Sequence, residues 1–261
     1  MTKLLKLGGS LITDKKTAHT ARFDVIRRLA LEIRSVWDDT NEALIIGHGS
    51  GSFGHIPAKQ YSTRAGVHSY EDWKGFAKVH NEATALNQIV TEIFTEAGLP
   101  VLSFVPMSSV KCTDGHITFW DVSIFEHCFQ NHLIPIVFGD TVFDDIRGGT
   151  ILSTEDIFLF LCNSMKDPPS IFLAGLEDGV WKDYPQNKVL TRFIPANSSN
   201  DLDYIKTSAA PDVTGGMAEK VRLMRKIIIE GKAKSALIFS GEKQENLKRA
   251  LSGEIIGTMI K

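Results

Sequence analysis

The sequence predicts an α/β protein built on an open, largely parallel sheet, and three observations carry that expectation. Short apolar runs of strand length recur at residues 4–7, 44–46, 100–105, 133–138, 170–174 and 237–239. Between several of them lie stretches with apolar residues at helical spacing, the alternation expected of βαβ units. Glycine-rich turns, Gly8-Gly9-Ser10 and Gly49-Ser50-Gly51, follow the first two runs, and open α/β sheets hold ligands at such strand ends. With 261 residues the chain can bury a full core, as one domain or as two closely joined lobes.

The first strand, Leu4-Leu5-Lys6-Leu7, contains a lysine. A charge inside a buried strand is costly unless its ammonium emerges at the strand end to meet an anion. Gly8 and Gly9 let the backbone approach that anion, and Ser10 adds a hydroxyl. The polar loop Thr13-Asp14-Lys15-Lys16 follows, where Lys15 could reach into the same place or merely be solvated. Residues 23–36 carry Phe23, Ile26, Leu29, Ala30, Ile33 and Val36 on one helical face. The strand at 44–46 completes a βαβ unit, whose right-handed crossover brings both glycine-rich turns to one sheet edge. There Gly49, Gly51 and Gly54 can turn backbone N–H groups toward an anion. His55 adds a side chain whose charge changes near neutral pH.

Residues 61–72 are polar and without pattern, and a mobile cover over the site is expected of them. A long helix is expected over residues 76–94, with Phe76, Val79, Ala83 and Leu86 available to wall an apolar pocket. His80 on that helix reads as a satisfied helix histidine. A strand at 100–105, a hairpin closed by Asp114-Gly115, a helix at 122–131 and a strand at 133–138 follow, Pro135 favouring the start or edge of its strand. Ser153 or Thr154 is placed to cap a helix whose first turn holds Glu155 and Asp156. Either acid could instead orient catalytic lysines. Asp178-Gly179 marks a turn after the strand at 170–174, and Thr214-Gly215-Gly216 opens a helix with Lys220 one turn inside it. A helix start of that kind suits phosphate.

Composition narrows the function. A formal net charge of −2 argues against nucleic acid as the main ligand, so any anion site must be local. Cys112, Cys128 and Cys162 are scattered, with no CxxC pair, which supports neither a disulfide framework nor a zinc cluster. Buried thiols in a reducing compartment are expected. No apolar run reaches the length of a membrane span, and the N-terminal apolar stretch is broken by Lys3, Lys6 and two glycines. A cytoplasmic protein without membrane or nucleic-acid partners is expected.

Several of these motifs together resemble the amino acid kinase family, in the right order and over almost the whole chain. They are Lys6-Leu7-Gly8-Gly9-Ser10, the glycine-rich loop before His55, Asp178-Gly179-Val180, Asp212-Val213-Thr214-Gly215-Gly216-Met217 with Lys220, and Gly257-Thr258. The resemblance implies a three-layer αβα sandwich with a mostly parallel central sheet, forming a single domain. It also implies an acceptor-binding lobe at about residues 1–165, a nucleotide-binding lobe at about 166–261, and a homodimer. Within the family, Gly51-Ser52-Phe53-Gly54-His55 and Thr13-Asp14-Lys15 are most similar to the isopentenyl phosphate kinases. Those enzymes convert isopentenyl phosphate and ATP to isopentenyl diphosphate and ADP, in an alternative mevalonate route to isoprenoids.

By that resemblance Lys6 and Lys220 would bracket the transferring phosphoryl group, with Lys15 assisting and His55 acting on the acceptor. Gly8, Gly9, Ser10 and Gly51 would cradle ATP phosphates, while Gly175, Asp178 and Gly216 would lie along the nucleotide. Ser50, Gly54, His55 and Thr154 would hold the acceptor phosphate. Mg²⁺ is expected to be held mainly by ATP oxygens, with no protein ligand assigned. Two departures from the family pattern stand out. Thr154-Glu155 occupies the place of a usual Gly-Asp, which leaves the lysine-orienting role to Glu155 or Asp156. Glu177 and Trp181 replace an aspartate and a smaller aromatic on the nucleotide side. Two alternatives stay open: a sister kinase for another acceptor (dimethylallyl phosphate, a longer prenyl phosphate, fosfomycin), and a non-catalytic nucleotide-sensing module.

Overall fold

The computed structural model describes residues 2–14, 16–37, 42–197 and 216–261. Leu4, Leu5 and Leu7 are fully buried because their strand, Lys3–Leu7, lies in the interior of an eight-stranded sheet. In order across that sheet the strands are Phe193–Ile194, Thr258–Ile260, Ser235–Ser240, Ser170–Gly175, Lys3–Leu7, Leu44–His48, Ile134–Phe138 and Val101–Ser103. Every neighbouring pair is parallel except Ser235–Ser240 with Thr258–Ile260. A sheet covered on both faces explains why its strands read as continuous apolar runs.

Side chains alternate between the two faces of a strand, and that alternation sorts the core. Leu5, Leu7, Leu44, Ile46, Leu237 and Phe239 pack with the helices Phe23–Trp37, Tyr70–Glu96 and Asn246–Leu251. Leu4, Ile45, Val137, Ile171, Leu173 and Ile238 pack with Ser123–Gln130, Thr154–Ser164 and Gly216–Ile229. The result is the αβα sandwich. Lys6, two residues after Leu4, shares the second face. It is therefore delivered to the helices that begin at Thr154 and Gly216.

A second sheet of four strands, in the order His116–Phe119, Lys111–Thr113, Asp140–Asp144 and Gly148–Leu152, builds out one end. The Asp114-Gly115 hairpin expected from sequence is there. The hairpin pairing Asp140–Asp144 with Gly148–Leu152 is one that sequence reasoning missed. Its organiser is Asp144, whose carboxylate accepts N–H groups from Asp114, Gly115, Ile146 and Arg147. Burial pushes that carboxyl up, but the four donors outweigh it and hold it below the ordinary range.

Three local expectations meet the structure differently. Pro135 sits at the start of its strand and pairs with Leu102 alone, because Leu44–His48 joins from Ile136 onward. The stretch after Ser50 is already helical over Gly51–Gln60, although it is rich in glycine and contains Pro57. Residues 61–72, expected to be a loose cover, are tied down instead. Thr63–Ala65 forms a 3₁₀ turn, Val67 N–H donates to the Arg147 carbonyl at 2.8 Å, and Ser69 with Asp72 makes a reciprocal cap at the start of the long helix.

Candidate active site

The two glycine-rich turns touch each other. At Gly51, with φ of +49°, an added Cβ would stand 2.6 Å from the Gly9 carbonyl oxygen, so only glycine permits both the conformation and the approach. Thr13 fastens the contact: its hydroxyl donates to the Gly9 carbonyl at 2.7 Å and accepts the Ser52 N–H at 3.0 Å. Beyond the turns lies a cavity of about 580 Å³, lined on its polar side by Gly8, Gly9, Ser10, Ser50, Gly51 and His55. Ile56, Ala58, Val79, Ile151 and Leu152 supply an apolar wall. A smaller cavity of about 160 Å³ is lined by Gly175, Leu176, Glu177, Met217, Ile238 and Phe239. Lys6, Gly8, Ser10, Glu155 and Lys220 line both cavities and form the boundary between them.

That boundary carries the strongest electrostatics of the site. Glu155, buried in the first turn of Thr154–Ser164, forms an ion pair with Lys6. Burial alone would push its carboxyl up; the ammonium groups of Lys6 and Lys220, with a hydrogen bond from Lys6, outweigh it and bring the pKa below its ordinary value. Asp156 does different work. Its carboxylate accepts the Ser153 N–H and hydroxyl at 2.8 Å each, in a capping box, and pairs with Arg64 at 3.0 Å. Of the two acids, Glu155 is the one that meets the lysines.

Behind the turns, the His48 imidazole is fully buried, stacked on Phe138, with Nε2 3.2 Å from Asn87 Oδ1. Burial is the main cause that holds it below the ordinary histidine pKa. The His48 carbonyl accepts the Thr154 hydroxyl at 2.7 Å, so what Thr154 offers the cavity is its backbone N–H at the helix start. His80 is satisfied by the buried Asp140 carboxylate at 2.9 Å, a hydrogen bond that raises the imidazole pKa.

The residues expected from sequence fall into three groups. Lys6, Gly8, Gly9, Ser10, Ser50, Gly51, Gly54, His55, Thr154 and Lys220 all line the larger cavity, and Gly175 lines the smaller one. Asp178 is turned to an ion pair with Lys243 at 2.7 Å, and Gly216 is a buried helix start; neither lines either of these two cavities. Lys15 lies outside the described residues, as do residues 212–215 of the Thr-Gly-Gly motif. Of the four side chains proposed to wall an apolar pocket, only Val79 lines one, because Phe76 packs on Trp73 and Phe143, and Ala83 and Leu86 are buried in the protein core. Glu177 and Trp181 answer one another: the indole N–H donates to the Glu177 carboxylate at 2.9 Å. Sequence reasoning missed Lys16 and Arg64, which also line the larger cavity. Lys16 was visible as the second half of a lysine pair; Arg64 sits in a patternless stretch and left no signal.

The sequence pattern of the amino acid kinase family matches residues 1–240. Isopentenyl phosphate kinase of Methanocaldococcus jannaschii is 33% identical over 267 aligned positions, covering 100% of this chain and 98% of the relative. The isopentenyl phosphate kinase of Methanothermobacter thermautotrophicus is 31% identical, with 98% of each chain covered. A solved isopentenyl phosphate kinase superposes with a TM-score of 0.82 at 28% identity, covering all of both chains. The chain belongs to the amino acid kinase family and groups within it with the isopentenyl phosphate kinases.

Proposed function

We propose that this protein transfers the γ-phosphoryl group of ATP to the phosphate of isopentenyl phosphate, giving isopentenyl diphosphate and ADP. The observation that carries the reading is the shared wall of Lys6, Glu155 and Lys220 between two cavities. Phosphoryl transfer needs two anions held in line and their charge neutralised, with little covalent help from the protein. ATP would lie on the side of Gly175 and Glu177, with its terminal phosphate against Gly8, Gly9 and Ser10. The acceptor phosphate would lie by Ser50, Gly54, His55 and the Thr154 N–H, its hydrocarbon along Ile56, Val79 and Ile151. Lys6 and Lys220 would then face the group in flight, aimed by Glu155, with Lys15 assisting. His55 would serve the acceptor as an N–H donor.

Magnesium enters this reading with its nucleotide. Among the described residues no group of three His, Cys, Asp or Glu side chains could hold a metal ion, and the Glu155 carboxylate is engaged by lysines. In this reading the ion is carried mainly by ATP oxygens as part of the substrate. The same reading places the enzyme in the cytoplasm as a homodimer, in a route to isoprenoids. Among the described residues no helix is long and apolar enough to cross a membrane.

Release of ADP from Mg²⁺-ATP tests the proposal against isopentenyl phosphate, dimethylallyl phosphate, a longer prenyl phosphate, fosfomycin, uridine monophosphate and glutamate. Preference for isopentenyl phosphate is expected. Turnover of fosfomycin with silence on the prenyl phosphates would replace the substrate while keeping the reaction. Nucleotide binding without any turnover would make the protein a sensor.

A further inference from the structure

We propose that Arg64 is an acceptor-binding residue, whose guanidinium, held beside the start of the Thr154–Ser164 helix by Asp156, takes an oxygen of the acceptor phosphate. The inference rests on the kinase reading above and extends it by one residue. Arg64 lines the larger cavity together with Ser153 and Thr154. One Nη donates to Asp156 at 3.0 Å, and the same carboxylate oxygen accepts the Ser153 hydroxyl at 2.8 Å. The guanidinium is thereby fixed next to the Ser153-Thr154 step, where a helix N-terminus already favours an anion. Its backbone is fixed too: the Arg64 carbonyl accepts the Thr150 hydroxyl at 3.0 Å and an Arg147 Nη at 3.3 Å.

One Nη of Arg64 is enclosed, but the side chain as a whole is 38% exposed and lines the larger cavity. A guanidinium is a planar fork with five donors, so one edge can stay on Asp156 while another meets a phosphate oxygen. Placing this group against the hydrocarbon of the acceptor would instead leave a charge facing an apolar neighbour. The Arg64 side of the cavity therefore belongs to the head group, and the Ile56 and Val79 side to the tail. Lys6 is already balanced by Glu155, which leaves room for a further cation when a second phosphate enters.

The test compares wild type, Arg64→Met and Arg64→Lys, with the KM for isopentenyl phosphate and for ATP determined separately. Loss of a charged hydrogen bond predicts a rise of roughly ten- to hundredfold in the acceptor KM for Arg64→Met. The ATP KM should stay within about twofold, since only acceptor binding is removed. Arg64→Lys, which keeps the charge and loses the fork, should fall between. The second ionisation of a phosphate monoester lies near pH 6. Wild-type acceptor KM should therefore improve across that pH more steeply than that of Arg64→Met. A merely structural role would raise both KM values together and leave the pH slope unchanged, and either result overturns the proposal. Should Arg64→Met fail to fold, the same split read on Arg64→Lys decides. If wild type prefers another phosphate or phosphonate acceptor, the kinase substrate is wrong, and the Arg64 split is read on that acceptor. Calorimetry with inorganic phosphate probes the same contact without turnover: weaker binding to Arg64→Met is expected, and equal binding refutes the role.

Discussion

Lys6 and Lys220 face one carboxylate across the boundary of two cavities, and the consequences of removing each partner differ. If the proposed reaction holds, Lys220→Ala takes away a preorganised cation at the reacting group, so kcat should fall by about 2–4 kcal/mol in activation free energy, with the acceptor KM much less affected. Initial-rate kinetics settles it, and a rise in KM at constant kcat would remove Lys220 from the transition state. Glu155→Gln should also lower kcat, because both lysines lose the charge that aims them, whereas Asp156→Asn should weaken the helix cap and, by loosening Arg64, raise the acceptor KM. Equal kcat for Glu155→Gln and wild type would end the organising role. His48 makes a pH prediction. Its folded pKa is depressed, so below the ordinary value of about 6.5 the unfolded chain binds more protons. The stability His48 contributes is full above that pH and is lost as pH falls through its lower folded pKa. Urea midpoints measured against pH should show a shallower acid limb for His48→Asn than for wild type. An unchanged slope would mean that burial does not depress His48. Lys6 was legible in the sequence because a lysine inside an apolar run violates the burial rule. The choice between Glu155 and Asp156 was not, since both suit a first helical turn and only packing tells which one faces the lysines.

At the scale of elements, the helix Gly51–Gln60 is the instructive case. Glycines at 51 and 54 each weaken a helix by about 1 kcal/mol relative to alanine, and Pro57 lacks a donor. Local rules therefore placed a turn here. Tertiary packing decides otherwise, with Phe53, Pro57 and Ala58 buried and Phe53 against the His19 ring at 4.2 Å. Gly51→Ala should cost more than about 1 kcal/mol of stability, because its positive φ and the Gly9 backbone both resist a methyl group. Thermal melts check the stability, and kcat should fall with it because the two turns are pushed apart. A variant as stable and active as wild type would show that the contact between the turns is not needed. The long helix Tyr70–Glu96 was easy to read by contrast, since its stripe is regular and its start carries a reciprocal cap.

For the whole molecule, the alternation of strands and helices identified the α/β class, and the parity of one strand explains the site. What the pattern did not contain was sheet order. Nothing local says that Ser170–Gly175 lands beside Lys3–Leu7, because the two strands that pair are far apart in sequence. Burial extends to the thiols. Cys112 and Cys162 are each pushed up to about 12 by loss of solvent, and Cys128 is raised by the same cause. The native protein should therefore be inert to an aromatic disulfide reagent at neutral pH, while the denatured chain releases three equivalents of chromophore, one per cysteine. Rapid reaction of the folded protein would contradict that burial.

The central position of Lys3–Leu7 also bears on how the chain is made. Of its two flanking strands, one follows closely in sequence, while the other, Ser170–Gly175, emerges from the ribosome far later. At ordinary elongation speeds that interval is roughly 8–30 seconds. Throughout it the nascent strand has one edge unpaired, and Lys6 lacks Lys220 for all of it and Glu155 for most of it. A lone charge in the middle of that bare edge discourages pairing with other chains. The residue that would handle phosphate in the finished enzyme would thus also guard the unfinished one.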